Sequence, residues 1–94
     1  LRAMARSVRP SAEQVEAVVE RLFADETERR RGRLRLYAMR KFSALGTNAI
    51  ARRYGRTPAA VPVAVKEVER RAGRSRPLAE RLGELCRGLE IVND

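Results

Sequence analysis

Tyr54-Gly55-Arg56-Thr57-Pro58 breaks an otherwise helical pattern, and that break limits what the chain can become. Upstream of it, Ile50, Ala51 and Tyr54 are spaced for the inner face of a short helix. Downstream, Val61, Ala64, Val65 and Val68 are spaced for the inner face of another. Glycine tolerates the left-handed backbone that ends helices. Thr followed by Pro offers a cap and a first helical residue. The pattern predicts a helix closing at Tyr54, a turn over Gly55-Arg56-Thr57, and a second helix from Pro58 to Ala72. Two helices joined by about three or four residues including glycine form a helix-turn-helix. In DNA-binding versions of that motif the second helix enters a groove. Pro62 strains the assignment. It is the fifth residue after Thr57, where its missing N–H would cost a bond to Pro58. Either the helix kinks there or it begins near Val61.

The flanking chain supplies a scaffold. Ser11 with Gln14 three residues later is a capping box. Val15, Val18, Val19, Leu22 and Phe23 then follow at helical spacing, which predicts a helix over 12–23. Its other face carries Glu13, Glu16 and Glu20 and reads as scaffold. Asp25 to Glu28 offer caps and first-turn acids for a second helix over about 28–44. Leu34, Leu36, Tyr37, Met39, Phe42 and Leu45 make it the central, most buried one, with Gly32 a local weakness. Thr47 is expected to cap a helix over 48–54. Gly73 is expected to close the helix after the turn, and Ser75 to cap a last helix over 76–89. That helix is lined by Leu78, Leu82, Leu85 and Leu89. No strand pattern and no internal repeat occurs. The expected fold is all-α, a compact bundle of about five helices around a central helix-turn-helix, forming one domain over 11–94. Leu1 to Pro10 is expected to be a flexible lead-in from an upstream domain, and a start at Leu1 suggests a piece of a longer protein.

Charge gives the second constraint. The 94 residues carry 21 Lys+Arg against 12 Asp+Glu, a net +9, which predicts affinity for polyanions. Eleven of the basic residues (Arg29, Arg30, Arg31, Arg33, Arg35, Arg40, Lys41, Arg52, Arg53, Arg56 and Lys66) fall in a 38-residue block without an acid. Solvated helix faces usually interleave Glu to make i,i+4 pairs, so the block is expected to be a binding surface.

Much chemistry is excluded. With no His and one Cys there is no set for the usual zinc spacings and no Ser-His or Cys-His pair. No phosphate-binding glycine loop is present. The chain is expected not to be an enzyme and to need no cofactor or metal. Tyr37 and Tyr54 lie on apolar stripes, and Cys86 reads as a small buried hydrophobe. A lone cysteine, no signal peptide and no membrane-length apolar run favour the cytoplasm.

The stretches LYAMRKFSALGTNAIARRYGR and TPAAVPVAVKEV resemble the C-terminal DNA-binding domain of the bacterial replication initiator DnaA. Tyr37, Phe42, Leu45, Ile50, Tyr54, Gly55, Arg56, Val61, Ala64 and Lys66 stand at matching places, and the resemblance spans about residues 11–89. It implies a Trp-repressor-like helix-turn-helix. In the family, the arginine matching Arg56 reaches DNA, a basic residue matches Lys66, and the corner matching Thr47 and Asn48 sits against phosphate. The family's polar Asp-His-Ser/Thr-Thr motif is replaced by Thr57-Pro58-Ala59-Ala60, and Gly32 stands where a minor-groove arginine is common. TPAAVPVAVK is closest to the DnaA-like domain at the C-terminus of small tyrosine transposases associated with repetitive palindromes.

The partner expected from all this is double-stranded DNA, gripped mainly through its backbone with limited base reading. Arg31, Arg33, Arg35, Arg52, Arg53 and Lys66 are expected on phosphates, together with Thr47 and Asn48. Arg56, Thr57, Ala59, Ala60 and Val63 are expected at the base edges, where alanine and valine can touch only thymine methyls or sugar. A different class of function is an interaction module, a homodimer or a contact with an upstream domain. It would use Pro62, Val63 and the last leucine helix. RNA or acidic membrane is a third class, disfavoured for single strands by only four aromatic residues.

Overall fold

Five helices build the structure, a computed structural model that describes residues 9–90: α1 (Ala12–Leu22), α2 (Glu28–Phe42), α3 (Thr47–Arg53), α4 (Ala60–Ala72) and α5 (Arg76–Glu90). No strand occurs among the described residues, so the all-α bundle holds. Its order follows from which helix has the most apolar surface to cover. On α2, Leu34, Leu36, Ala38 and Met39 are all buried, and these positions spread around more than one face. Such a helix needs neighbours on several sides. α2 accordingly packs against α1, α3 and α4, while α5 closes the bundle against α1 and α4.

The core is continuous across all five elements. Val15, Val19 and Phe23 enter it from α1 and its C-cap, Ile50 and Ala51 from α3, Val61, Ala64 and Val68 from α4, and Leu78, Leu85 and Leu89 from α5. Burial of this apolar area, at about 25 cal/mol per Å², is the main term holding the helices together. Tyr37, Tyr54 and Cys86 are half-buried at the margin. Cys86 is therefore less enclosed than its leucine neighbours suggest.

Helix ends explain the boundaries. Ser11 and Gln14 form the full capping box, with Ser11 N–H donating to Gln14 Oε1 at 2.8 Å and Gln14 N–H to Ser11 Oγ at 3.1 Å. Thr27 caps α2 through Arg30 N–H, and Ser75 caps α5 through Leu78 N–H. Ser43 ends α2 earlier than the apolar pattern predicts. Its hydroxyl donates to Met39 O at 2.8 Å and accepts from Leu45 N–H at 3.2 Å, which satisfies it although it is buried. This turns the chain towards α3.

Two cap assignments are corrected. α3 begins at Thr47 itself, with Gly46 as N-cap and no side-chain cap bond, so Thr47 does not cap. Nor does Thr57 cap α4. The chain passes through a tight turn in which Ala60 N–H reaches Thr57 O at 3.0 Å and Val61 N–H reaches Pro58 O at 3.1 Å. Regular helix starts at Ala60, two residues later than the Thr-Pro signal predicts. The Pro62 difficulty disappears with this start. Pro62 is the third helical residue, and the Pro58 carbonyl it would have used already accepts from Val61. The missing donor is one of those a helix N-terminus leaves unpaired anyway. Gly73 closes α4 as its C-cap, as expected, with right-handed dihedrals.

Residues 1–8 and 91–94 lie outside the described part. Of the expected lead-in, Arg9 and Pro10 are described. Pro10 is buried, and the Arg9 guanidinium lies 3.4 Å from both Lys41 O and Ser43 O at the end of α2. No helix among the described residues is long and apolar enough to cross a membrane.

Candidate nucleic-acid interface

The α3–α4 junction is set by one glycine. Gly55 has φ 65°, the sole positive φ among the described residues. Gly55 N–H donates to Arg52 O at 3.3 Å and Arg56 N–H to Ala51 O at 2.8 Å. These are the two bonds of a Schellman motif, which terminates α3 and reverses the chain. Arg56, Thr57 and Ala59 are carried outward on this turn and are exposed. On α4, Val61, Ala64 and Val68 point into the core, which leaves Pro62, Val63 and Lys66 on the outer face. Val63 is 66% exposed and is the one exposed large hydrophobic side chain among the described residues.

A lattice of ion pairs fixes this unit to α1. The Arg53 guanidinium donates to both Glu16 oxygens, at 2.9 and 3.0 Å, and lies 3.5 Å from Glu13. The Tyr54 hydroxyl also donates to Glu16. The Arg53 bonds hold the Glu16 carboxyl below its usual range, against an opposing effect of burial, and Tyr54 adds to the lowering. Burial raises the Tyr54 hydroxyl first, and the Glu16 bond raises it further. A second cluster joins α1 to α2. Arg35 donates to Glu20 at 2.6 Å and to Glu28 at 2.8 Å. Arg31 meets Glu28 at 3.0 Å and Glu20 at 3.4 Å. Its guanidinium also spans the carbonyls of Phe23, Ala24 and Glu26, tying down the α1–α2 loop. With Arg35 and then Arg31 beside it, the Glu28 carboxyl falls from 4.5 to about 2.

These pairs divide the basic block. Arg30, Arg31, Arg35, Lys41 and Arg53 each have a carboxylate within 4.0 Å. The acids come mostly from α1 and the α1–α2 loop, so the acidic face of α1 neutralises part of the run. Arg31, Arg35 and Arg53, expected on phosphates, each bond carboxylates of the domain in this structure. The other six, Arg29, Arg33, Arg40, Arg52, Arg56 and Lys66, have no such carboxylate among the described residues.

Four of the six, Arg33, Arg40, Arg56 and Lys66, line hollows with residues of α4, and Arg29 lies in an adjoining groove. A groove of about 440 Å³ between α2 and the turn is lined by Glu28, Arg29, Gly32, Arg33, Arg35, Tyr54 and Arg56. Arg33 and Arg56 are shared with a hollow of about 270 Å³ against Ala59, Ala60, Val63 and Ala64. On the opposite flank of α4 a third depression is lined by Arg40, Lys41, Pro62, Val65, Lys66 and Glu69, the last paired with Lys41 at 3.2 Å. Arg40 continues into a fourth beside Gly46 and Thr47. Asn48 is exposed nearby at the start of α3, and Arg52 is exposed on the same helix. Arg40 was not singled out from the sequence. Its signal was there: Arg29, Arg33 and Arg40 are spaced by four and seven, which places them on one face of α2. No group of His, Cys, Asp and Glu able to hold a metal occurs among the described residues. No protein family, curated protein or solved structure matches the chain.

Proposed function

We propose that this domain binds double-stranded DNA, presenting α4 to a groove and holding the flanking phosphates with Arg29, Arg33, Arg40, Arg52, Arg56 and Lys66. The observation that carries the reading is the segregation of charge. Arg33, Arg40, Arg56 and Lys66 line hollows against α4 and have no carboxylate within 4.0 Å among the described residues, while Arg30, Arg31, Arg35 and Arg53 are paired with carboxylates of the domain. An arginine already bonded to two carboxylates would have to give up both to hold a phosphate. One without a partner loses nothing comparable, and releases counterions from the DNA. The helix-turn-helix framework and the DnaA-like resemblance of its residues agree with this role, as part of an initiator-related or transposase-related protein. Base reading by hydrogen bonds is thin, because Ala59, Ala60 and Val63 have no polar atoms to offer.

Binding of a labelled duplex by fluorescence anisotropy tests the assignment. Arg33→Ala and Arg56→Ala should each weaken binding and lower the salt slope by about one. Arg35→Ala should destabilise the fold yet leave the slope unchanged. Equal slope effects from Arg35 and Arg33 would refute the division of the block.

A second reading, docking of a protein on α4, is favoured by the exposure of Val63. A symmetric homodimer through this face would set Arg33 and Arg56 against their own copies, and such like-charge contacts oppose association. Sedimentation of the parent and Val63→Glu separates the two readings. Concentration-dependent dimers lost in the variant, with duplex affinity unchanged, would favour docking.

A further inference from the structure

The hollow against α4 is lined by the apolar side chains of Ala59, Ala60, Val63 and Ala64 together with Arg33 and Arg56. No carboxylate, amide or hydroxyl side chain lines it; its polar groups are the donor-only guanidinia of Arg33 and Arg56, which the reading above assigns to phosphates, and no side chain there accepts from a base-edge donor. A polar base edge pressed onto the alanine and valine side chains would give up water and gain no partner from them. The major groove offers one apolar group that escapes this penalty, the C5 methyl of thymine. We propose that the hollow seats thymine methyl groups, so that the domain prefers thymine-bearing sites although it lacks polar readers on α4. Charge favours a DNA occupant over an apolar protein segment. Arg33 and Arg56 flank the hollow without carboxylate partners among the described residues, and phosphates lie on both sides of every base pair.

The inference rests on the DNA reading above but can fail separately. The experiment takes the tightest duplex recovered from a randomised pool and replaces its thymines by uracil one position at a time. Uracil lacks only the methyl. At the seated position the change should weaken binding about four-fold, the effect of one buried methyl-sized group. Val63→Thr keeps the branched shape but puts a hydroxyl where a methyl stood. It should bring the thymine-to-uracil ratio close to one without altering the salt slope. Val63 is exposed, so the fold tolerates the change. Thymine and uracil duplexes binding alike at every position would overturn the inference, while steep salt dependence would leave the DNA reading standing. Failure to bind any duplex would overturn both. Dimers dissolved by Val63→Glu would assign the hollow to a protein contact and also overturn it.

Discussion

Gly55 is the point at which sequence and backbone geometry meet, and replacing it should show what the turn costs. At φ 65° an alanine would occupy the left-handed region, which is disfavoured by about 1–2 kcal/mol for a residue with a Cβ. No steric term adds to this, because a Cβ built there meets nothing within 4 Å. Alanine also restricts the unfolded chain and returns about 0.4–1 kcal/mol. The net expectation is destabilisation by about 1 kcal/mol. For a domain of this size that lowers Tm by about 4–8 °C. Gly32 provides the control. It lies within α2, is equally open, and has no positive φ. Gly32→Ala should therefore stabilise by about 1 kcal/mol, with the opposite shift in Tm. Urea unfolding followed by circular dichroism measures both, with an unchanged m-value expected. A Gly55→Ala protein as stable as the parent would refute the left-handed Schellman turn.

Other perturbations test neighbouring parts of the account. Pro62→Ala should change stability by less than about 1 kcal/mol, since Pro62 occupies the first turn of α4; a gain near 3 kcal/mol in urea unfolding would mean that it interrupts a longer helix. Glu16→Gln weakens the charged bonds of Arg53 and Tyr54 and should cost about 1–2 kcal/mol after allowance for partial exposure, measured in the same assay. The Glu28 carboxyl falls from 4.5 to about 2, so its stabilisation is full above about pH 4.5 and is lost as pH drops towards 2. Thermal melts of Glu28→Gln and the parent should therefore converge across that window and remain apart above it.

The helices were legible because apolar spacing needs only local sequence. Val15 and Val19, Val61 and Val68, and Leu85 and Leu89 all reached the core from the faces the spacing assigned. The α4 start was misplaced because Thr57-Pro58 carries a strong local start signal. The chain uses it for a tight turn that leaves Ala60 as the first helical residue. Charge misled in a different way. A run free of acids looks unpaired in sequence, yet Arg53 finds Glu16 37 residues away and Arg35 finds Glu20 15 residues away. Only tertiary packing brings those carboxylates over the block. The same packing isolates Arg33, Arg40 and Arg56, and it turns a uniform basic stretch into a patterned surface.

The salt dependence of duplex binding tests the central claim most directly. Six arginine and lysine side chains of the block, without carboxylate partners among the described residues, are assigned to phosphates. The slope of log K against log salt should then be about −5. A slope near −1, or no binding to duplex at low salt, would contradict the account.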